Sequence, residues 1–195
     1  MRTGIRVFAV VCLLWMCGGK EARGQIVIQY DGPPRYELGA QFSGLQLNGA
    51  VTGGSLGTGV HFGYNFNEYV TLDTELTAYS FGGNHFDTVN GLFGVRAGIR
   101  KGGIGIHAKV RPGFIHLPSS TEFIAPVAQH PTKFALDTGL VVTKYFENHL
   151  YVRIDVGRMW VNYGGGSYTD PATGQVTHLG MPGGTTVALG IGAQW

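Results

Sequence analysis

The sequence predicts an all-β chain, an eight-stranded antiparallel up-and-down transmembrane β-barrel. Three observations predict it. Apolar residues recur at every second position in eight separate segments, and no stretch holds the three-and-four spacing of an amphipathic helix for long. The links between segments alternate between tight and long, as in barrels with short turns at one rim and long loops at the other. The last segment keeps its alternation to the final residue and closes on Trp195, where a polar, frayed tail is the usual ending.

The segments follow in order. In "RYELGAQFSGL" Tyr36, Leu38, Ala40 and Phe42 oppose Glu37, Gln41 and Ser43, and in "SLGTGVHFGY" Leu56, Thr58, Val60, Phe62 and Tyr64 oppose Gly57, Gly59, His61 and Gly63. "EYVTLDTELTAYS" sets Val70, Leu72, Thr74, Leu76 and Ala78 against Thr71, Asp73, Glu75 and Thr77. "LFGVRAGIR" sets Phe93, Val95, Ala97 and Ile99 against Gly94, Arg96 and Gly98. "GIGIHAKVRPGF" alternates Ile104, Ile106, Ala108, Val110 and Phe114 with His107, Lys109 and Arg111. "KFALDTGLVVTKY" opposes Phe134, Leu136, Thr138, Leu140 and Val142 to Asp137, Gly139 and Thr143, and "HLYVRIDVG" opposes Leu150, Val152, Ile154 and Val156 to Tyr151, Arg153 and Asp155. In the closing "TVALGIGAQW" the apolar set is Val187, Leu189, Ile191, Ala193 and Trp195. Runs of about nine to thirteen residues suit a tilted strand crossing a bilayer.

Tight links are expected at Asn65 to Glu68, Arg100 to Gly103 and Phe146 to Asn148, and long ones at Gln46 to Gly54, Phe81 to Gly91, Leu117 to Thr132 and Gly164 to Gly183. Alternation alone does not separate a lipid-facing barrel from a soluble lipocalin-type one. Aromatics at the segment ends do, because bilayer interfaces select them. Tyr64, Phe66, Tyr69, Tyr145, Phe146 and Trp195 stand near the tight links, and Phe42, Tyr79, Phe114, Phe134, Trp160 and Tyr163 near the long ones, as two girdles require. The apolar face then looks outward and the charged, glycine-rich face inward.

The first residues, "MRTGIRVFAVVCLLWMCGGKEARGQ", combine Arg2 and Arg6, an apolar run from Val7 to Cys17, and Ala22-Arg23-Gly24 before Gln25. This is the pattern of a secretory signal peptide over 1–24, cleaved before Gln25. Its run of about 11 residues falls short of the roughly 20 of a spanning helix. Bulky Trp15 and Met16 before Cys17 argue against lipid attachment there. Residues 25–34 would form a short periplasmic N-terminal segment and 35–195 the barrel. Both cysteines, Cys12 and Cys17, belong to the leader, so the mature chain has no disulfide and no thiolate metal site. With the leader removed, 14 basic and 12 acidic residues become 10 and 11, since Arg2, Arg6, Lys20, Arg23 and Glu21 leave. The near neutrality removes the electrostatic case for a nucleic-acid partner. About 170 residues remain, one domain.

"GYNFNEYVTLDTELTAY" and "GVRAGIRKGGIGIHAKVRPGF" resemble the eight-stranded outer-membrane barrel domain of the OmpA and OmpX type, and the resemblance runs from Tyr36 to Trp195. It implies residence in a Gram-negative type outer membrane. The partners it implies are outer-membrane lipid and lipopolysaccharide, and barrel-assembly machinery that reads a terminal insertion signal, here Val187, Leu189, Ile191, Ala193 and Trp195. No periplasmic peptidoglycan-binding domain is expected, so wall anchoring does not carry over. Such domains serve as anchors, adhesins, narrow channels and enzyme scaffolds, so the fold leaves function open.

The expected role is non-enzymatic: a structural barrel, or one that meets an extracellular ligand through its loops. A narrow solute channel and, further off, a lipid A-modifying enzyme are the alternatives. His61, His85, His107, His116, His130, His149 and His178 form no short metal-ligand pair, and no cofactor is implied. "HLPSST" could be drawn as a triad of His116, Ser119 or Ser120, and Glu122, but Pro118 and a long loop make a poor scaffold for it. Glycine runs lack the lysine and helix of a phosphate loop. "DPATG", Asp170 to Gly174, reads as the tip of a hairpin in the longest loop. Pro112 predicts a bulge or a rim position. Arg158 falls outward beside Trp160, unless a bulge at Gly157 turns it in.

The inward charges are Glu37, Asp73, Glu75, Asp137 and Asp155 against Arg96, Lys109, Arg111 and Arg153. An eight-stranded lumen is only wide enough for side chains, which predicts a connected ion-pair network plugging it. Folding the hairpins about their loop centres sets Glu75 opposite Arg96 and Arg111 opposite Asp137. The inward glycines Gly59, Gly63, Gly94, Gly98, Gly139, Gly190 and Gly192 are expected to make room for the long basic side chains.

Overall fold

The computed structural model describes residues 33–48, 53–80, 88–117, 131–147, 149–165, 167–169, 174, 176–178 and 180–195. The expected leader, 1–24, and most of the expected 25–34 segment lie outside them. The elements are β1 (Tyr36–Leu47), β2 (Gly53–Asn65), β3 (Val70–Ser80), β4 (Thr88–Lys101), β5 (Ile104–His116), β6 (Thr132–Tyr145), β7 (Leu150–Val161), β8 (Ser167–Thr169), β9 (Val176–His178) and β10 (Gly183–Gln194). Eight of these close into an antiparallel barrel in the order β1-β10-β7-β6-β5-β4-β3-β2. Closure is made by β1 on β10, from Glu37 opposite Gln194 to Gln46 opposite Thr185, and a pair of backbone bonds between Tyr36 and Trp195 finishes the ladder. No strand edge of the barrel is left open, the condition for backbone to sit in hydrocarbon.

The tight links have local causes. Between β4 and β5 the two-residue turn Gly102-Gly103 has φ of 60° and 74°, the left-handed pair that matches strand twist in a two-residue hairpin. Between β2 and β3 the Asn67 carboxamide oxygen accepts from the backbone N–H groups of Tyr69 and Val70 at 2.8 and 2.9 Å. In the long link after β7, β8 pairs antiparallel with β9, so a short hairpin stands where "DPATG" was read as a tip; residues 170–173 themselves lie outside the described residues.

Burial alternates as the sequence predicts. Leu56, Ile99 and Ile191 on the outer face are 62%, 61% and 59% exposed, whereas Asp73, Arg96 and Asp137 on the inner face are fully buried. Four details differ from the sequence reading. Glu75 stands opposite Leu92, and Arg96 opposite Thr71. The reason is that β4 begins at Thr88, which moves the hairpin centre toward β3. Tyr79, Tyr145 and Tyr163 are not girdle residues but point inward, and are buried. Pro112 makes no bulge: β5 keeps one register with β4 on both sides of it, and only the direct pairing near Pro112 is missing. Arg158, by contrast, is outward as strict parity places it, with unbroken register through Gly157, so no bulge turns it in.

The glycines are the fourth difference. Of the inward set only Gly63 borders a basic side chain, with Arg96 Nη2 at 3.3 Å from where its Cβ would be. At Gly94, Gly98 and Gly139 a Cβ would overlap a carbonyl of the adjacent strand, so these glycines let tightly curved strands approach. Gly94→Ala should therefore destabilise the barrel by about 1–3 kcal/mol, the usual cost of overpacking. Outward Gly44, where a Cβ would meet nothing closer than 3.9 Å, should accept Ala within about 0.5 kcal/mol. Urea unfolding in lipid vesicles measures both.

Candidate functional site

The lumen is the place where this chain concentrates chemistry. The nine charged residues singled out from the sequence all project into it, none more than 5% exposed. Strand alternation places them there: each sits on the inward parity of its strand, and the closed sheet turns that parity toward one axis.

Asp73 on β3 is the hub. Arg153 on β7 grips it with two parallel bonds, Nη1 to Oδ1 and Nη2 to Oδ2, each 2.9 Å. Arg111 on β5 adds Nη1 to Oδ2 at 3.0 Å, and Arg96 lies 3.9 Å from Oδ1. The fork of Arg153 onto one carboxylate is the strongest geometry available to such a pair. Arg111 is the second hub. It reaches Glu75 at 2.9 Å, Asp137 through Nε at 2.9 Å and Nη2 at 2.5 Å, and Asp155 at 3.2 Å. Arg111 and Asp137 are direct register partners across β5 and β6, as the hairpin folding placed them. Lys109 bridges Asp137, at 2.5 Å, and Asp155.

Toward the short-turn end, Glu37 pairs with Arg96 and accepts further bonds from Asn65 Nδ2 and the Tyr145 hydroxyl, both 3.0 Å. His61 and the Tyr151 hydroxyl meet at 2.7 Å. The Arg100 guanidinium lies 3.5 Å over the Tyr145 ring and donates to Gln194 Oε1 at 2.9 Å, tying β4 to the end of β10. Asn65, Tyr145, His61 and Tyr151 are partners that the charge count passed over. Their inward parity was readable, but a neutral polar residue carries no sign with which to predict its mate.

Toward the long-loop end the inner face changes character. Leu45, Leu47, Tyr79, Leu92, Ile115, Met159 and their neighbours form a buried apolar cluster above the charges. Within it burial pushes the Tyr163 hydroxyl up to about 12. The lumen thus has two storeys, ionic below and apolar above. Where they meet, a cavity of about 10 Å³ is lined by Ser43, Glu75, Tyr79, Leu92, Arg111 and Asp137 among others, about the room of a single water.

Other sequence candidates are not brought together. His116 is exposed and its Nδ1 meets Thr132 Oγ1 at 2.9 Å, while Ser119, Ser120 and Glu122 lie outside the described residues, as do His85 and His130. His149 sits in the β6–β7 turn with φ of 65°. Among the described residues no group of His, Cys, Asp and Glu is arranged to hold a metal ion. Val187, Leu189, Ile191 and Trp195 are exposed on the outer face at the end of β10, with Ala193 half-buried between them. The Trp195 ring stacks on Tyr36, centroids 6.0 Å apart, at the seam.

No protein-family model matches the sequence, and no curated protein does. Solved structures do match by shape. One is that of Neisserial surface protein A (NspA), with a TM-score of 0.56 at 11% identity, covering 85% of this chain and 100% of that one. Another is the outer membrane protein OprG from Pseudomonas aeruginosa, with a TM-score of 0.50 at 7% identity, covering 84% of this chain and 98% of that one. The fold is that of an eight-stranded outer-membrane barrel. At such identities the likeness is one of fold alone.

Breaking a buried ion pair leaves its partner charged and unpaired, at a cost of about 3–5 kcal/mol. Asp73→Ala, which takes the bidentate partner from Arg153 and a contact from Arg111 and leaves Arg153 only Asp155, should show a loss of that size, whereas Glu68→Ala in an exposed turn should stay within about 0.5 kcal/mol. Unfolding by urea in vesicles checks the contrast.

Proposed function

We propose that the chain is an integral outer-membrane β-barrel, non-enzymatic, with a structural role or one of surface interaction through its long loops, and with a lumen closed by its own side chains. The observation that carries the reading is the inverted surface: charges buried inside, large apolar residues exposed around the outside. Water does not stabilise that arrangement; a bilayer does. Export by the 1–24 leader and insertion guided by the terminal set Val187, Leu189, Ile191, Ala193 and Trp195 belong to the same reading, with lipid, lipopolysaccharide and assembly machinery as partners. The long links then face the exterior, where the β8–β9 hairpin offers strand edges to another surface.

Closure is supported from both storeys. The carboxylates and guanidinium groups pair with one another across the lumen, and the apolar cluster covers them toward the long loops. A solute path would have to open both layers at once.

Three measurements test this. The protein should fractionate with outer membranes, resist carbonate washing, and shift in mobility on boiling; release without detergent would sink the lipid-facing assignment. In planar bilayers it should be silent, and Asp137→Ala alone should stay silent because the apolar layer persists, while Tyr79→Ala with Asp137→Ala should flicker open. Sustained conductance from the parent protein would favour the channel instead. Deleting 168–178 should leave the heat-modifiable barrel intact and abolish the surface binding that a ligand screen finds for the parent protein in vesicles.

A further inference from the structure

Arg158 is a charged residue on the outer wall near the long loops. It stands on β7 with outward parity, exposed, near the long-loop end of a mainly apolar face whose outward lysines, Lys101 and Lys144, lie at the short-turn rim. Its guanidinium lies 4.6 Å from the centroid of the Trp160 ring and folds over Gly183 of β10, where any Cβ would overlap it. Both neighbours lie toward the long loops, so the side chain rises to the level of lipid headgroups. Its two neighbours are themselves tied down: the Trp160 indole N–H donates to Thr138 Oγ1 at 3.3 Å, and Asn48 Nδ2 donates to the Gly183 carbonyl at 2.8 Å. Among the described residues no carboxylate pairs with it; the acids of the described ion pairs are Glu37, Asp73, Glu75, Asp137 and Asp155, all inside the lumen. Register places two hydroxyls beside it, Thr138 on β6 and Thr185 on β10.

The wall next to it is also shaped. Across β10, β1 and β2 runs an outward groove of about 310 Å³, lined by Gly44, Gln46, Gly54, Leu56, Thr185 and Val187. Gln46 and Gly54 continue the polar row of Arg158 and Thr185 by register, and Gly44, between Val187 and Leu56, lies below that row toward the short-turn end. A cation with hydroxyl neighbours at headgroup height, and a channel of small and apolar residues descending from it, match one ligand: a lipid with a phosphate headgroup and an acyl chain.

We infer that this face is a binding site for a phosphorylated lipid of the outer leaflet, the phosphate held by Arg158 with Thr138 and Thr185 and an acyl chain lying in the groove over Gly44. The inference rests on the outer-membrane reading above. Trp160 provides the probe. In a W15F/W195F background it is the one remaining tryptophan. Protein recovered from the membrane fraction and reconstituted with acyl-brominated lipids should lose Trp160 fluorescence at a several-fold lower mole fraction of brominated phosphatidylglycerol than of brominated phosphatidylcholine. R158Q should bring that ratio to about one without altering heat-modifiable mobility. Gly44→Leu, filling the groove, should raise the phosphatidylglycerol fraction needed several-fold. Inorganic phosphate should not compete. Equal quenching by the two lipids in the parent, a ratio that survives R158Q, indifference to Gly44→Leu, or displacement by free phosphate would each overturn the assignment. Absence of the protein from the membrane fraction would instead strike the outer-membrane reading, before any lipid is added.

Discussion

Everything in this molecule depends on the seam where β1 meets β10. Once Glu37 lies opposite Gln194 and the ladder runs to Gln46 opposite Thr185, the sheet has an inside, and eight strands make that inside narrow. Each inward side chain then faces those of distant strands instead of solvent. The fork of Arg153 on Asp73 and the reach of Arg111 to four carboxylates are consequences of that confinement. On an open sheet the same residues would be solvated, and their pairing would contribute little.

The two storeys divide the work of filling this space. Charges pack the part nearer the short turns, where glycine-rich strands curve closely, and their directional bonds fix which strand faces which. Leucines, Ile115, Met159 and buried tyrosines fill the part nearer the long loops by shape alone. The outer wall is plainer, an apolar belt with Tyr36, Tyr64, Phe66 and Trp195 in mutual ring contact at one rim.

How much of this the residues announced can be judged element by element. Alternation placed all eight barrel strands and their faces, because parity in a strand survives any error in its ends. The Arg111–Asp137 pair was legible, since the β5–β6 hairpin is symmetric about its link. Glu75 and Arg96 were mismatched because β4 starts several residues before its apolar run does, and a link's centre is invisible in composition. Arg96 instead finds Glu37, 59 positions away across the lumen, a contact no local rule reaches. The apolar storey was overlooked although Leu45, Leu47 and Met159 continue the inward parity of Glu37, Arg153 and Asp155. An inward face expected to be polar hid them, and Tyr79 and Tyr163 were assigned to a girdle by their position alone. The glycines at 94, 98 and 139 needed coordinates, since crowding by a neighbouring strand's carbonyl leaves no trace in sequence.

The span of the ionic bonds bears on the order of assembly. Asp73 and Arg153 are 80 positions apart, and Glu37 and Tyr145 are 108 apart. None of these bonds exists in a nascent hairpin or in any partial sheet that lacks the later strands. A half-built barrel holding β5 and β6 already has Lys109 and Arg111 on Asp137, but it leaves Asp73, Glu37 and Arg96 without their partners across the lumen. The long-range part of the network forms only when the later strands arrive and the two ends join. For such a chain the natural fate is all or nothing: a completed cylinder, or an exposed intermediate that needs to be sheltered until its last strand arrives.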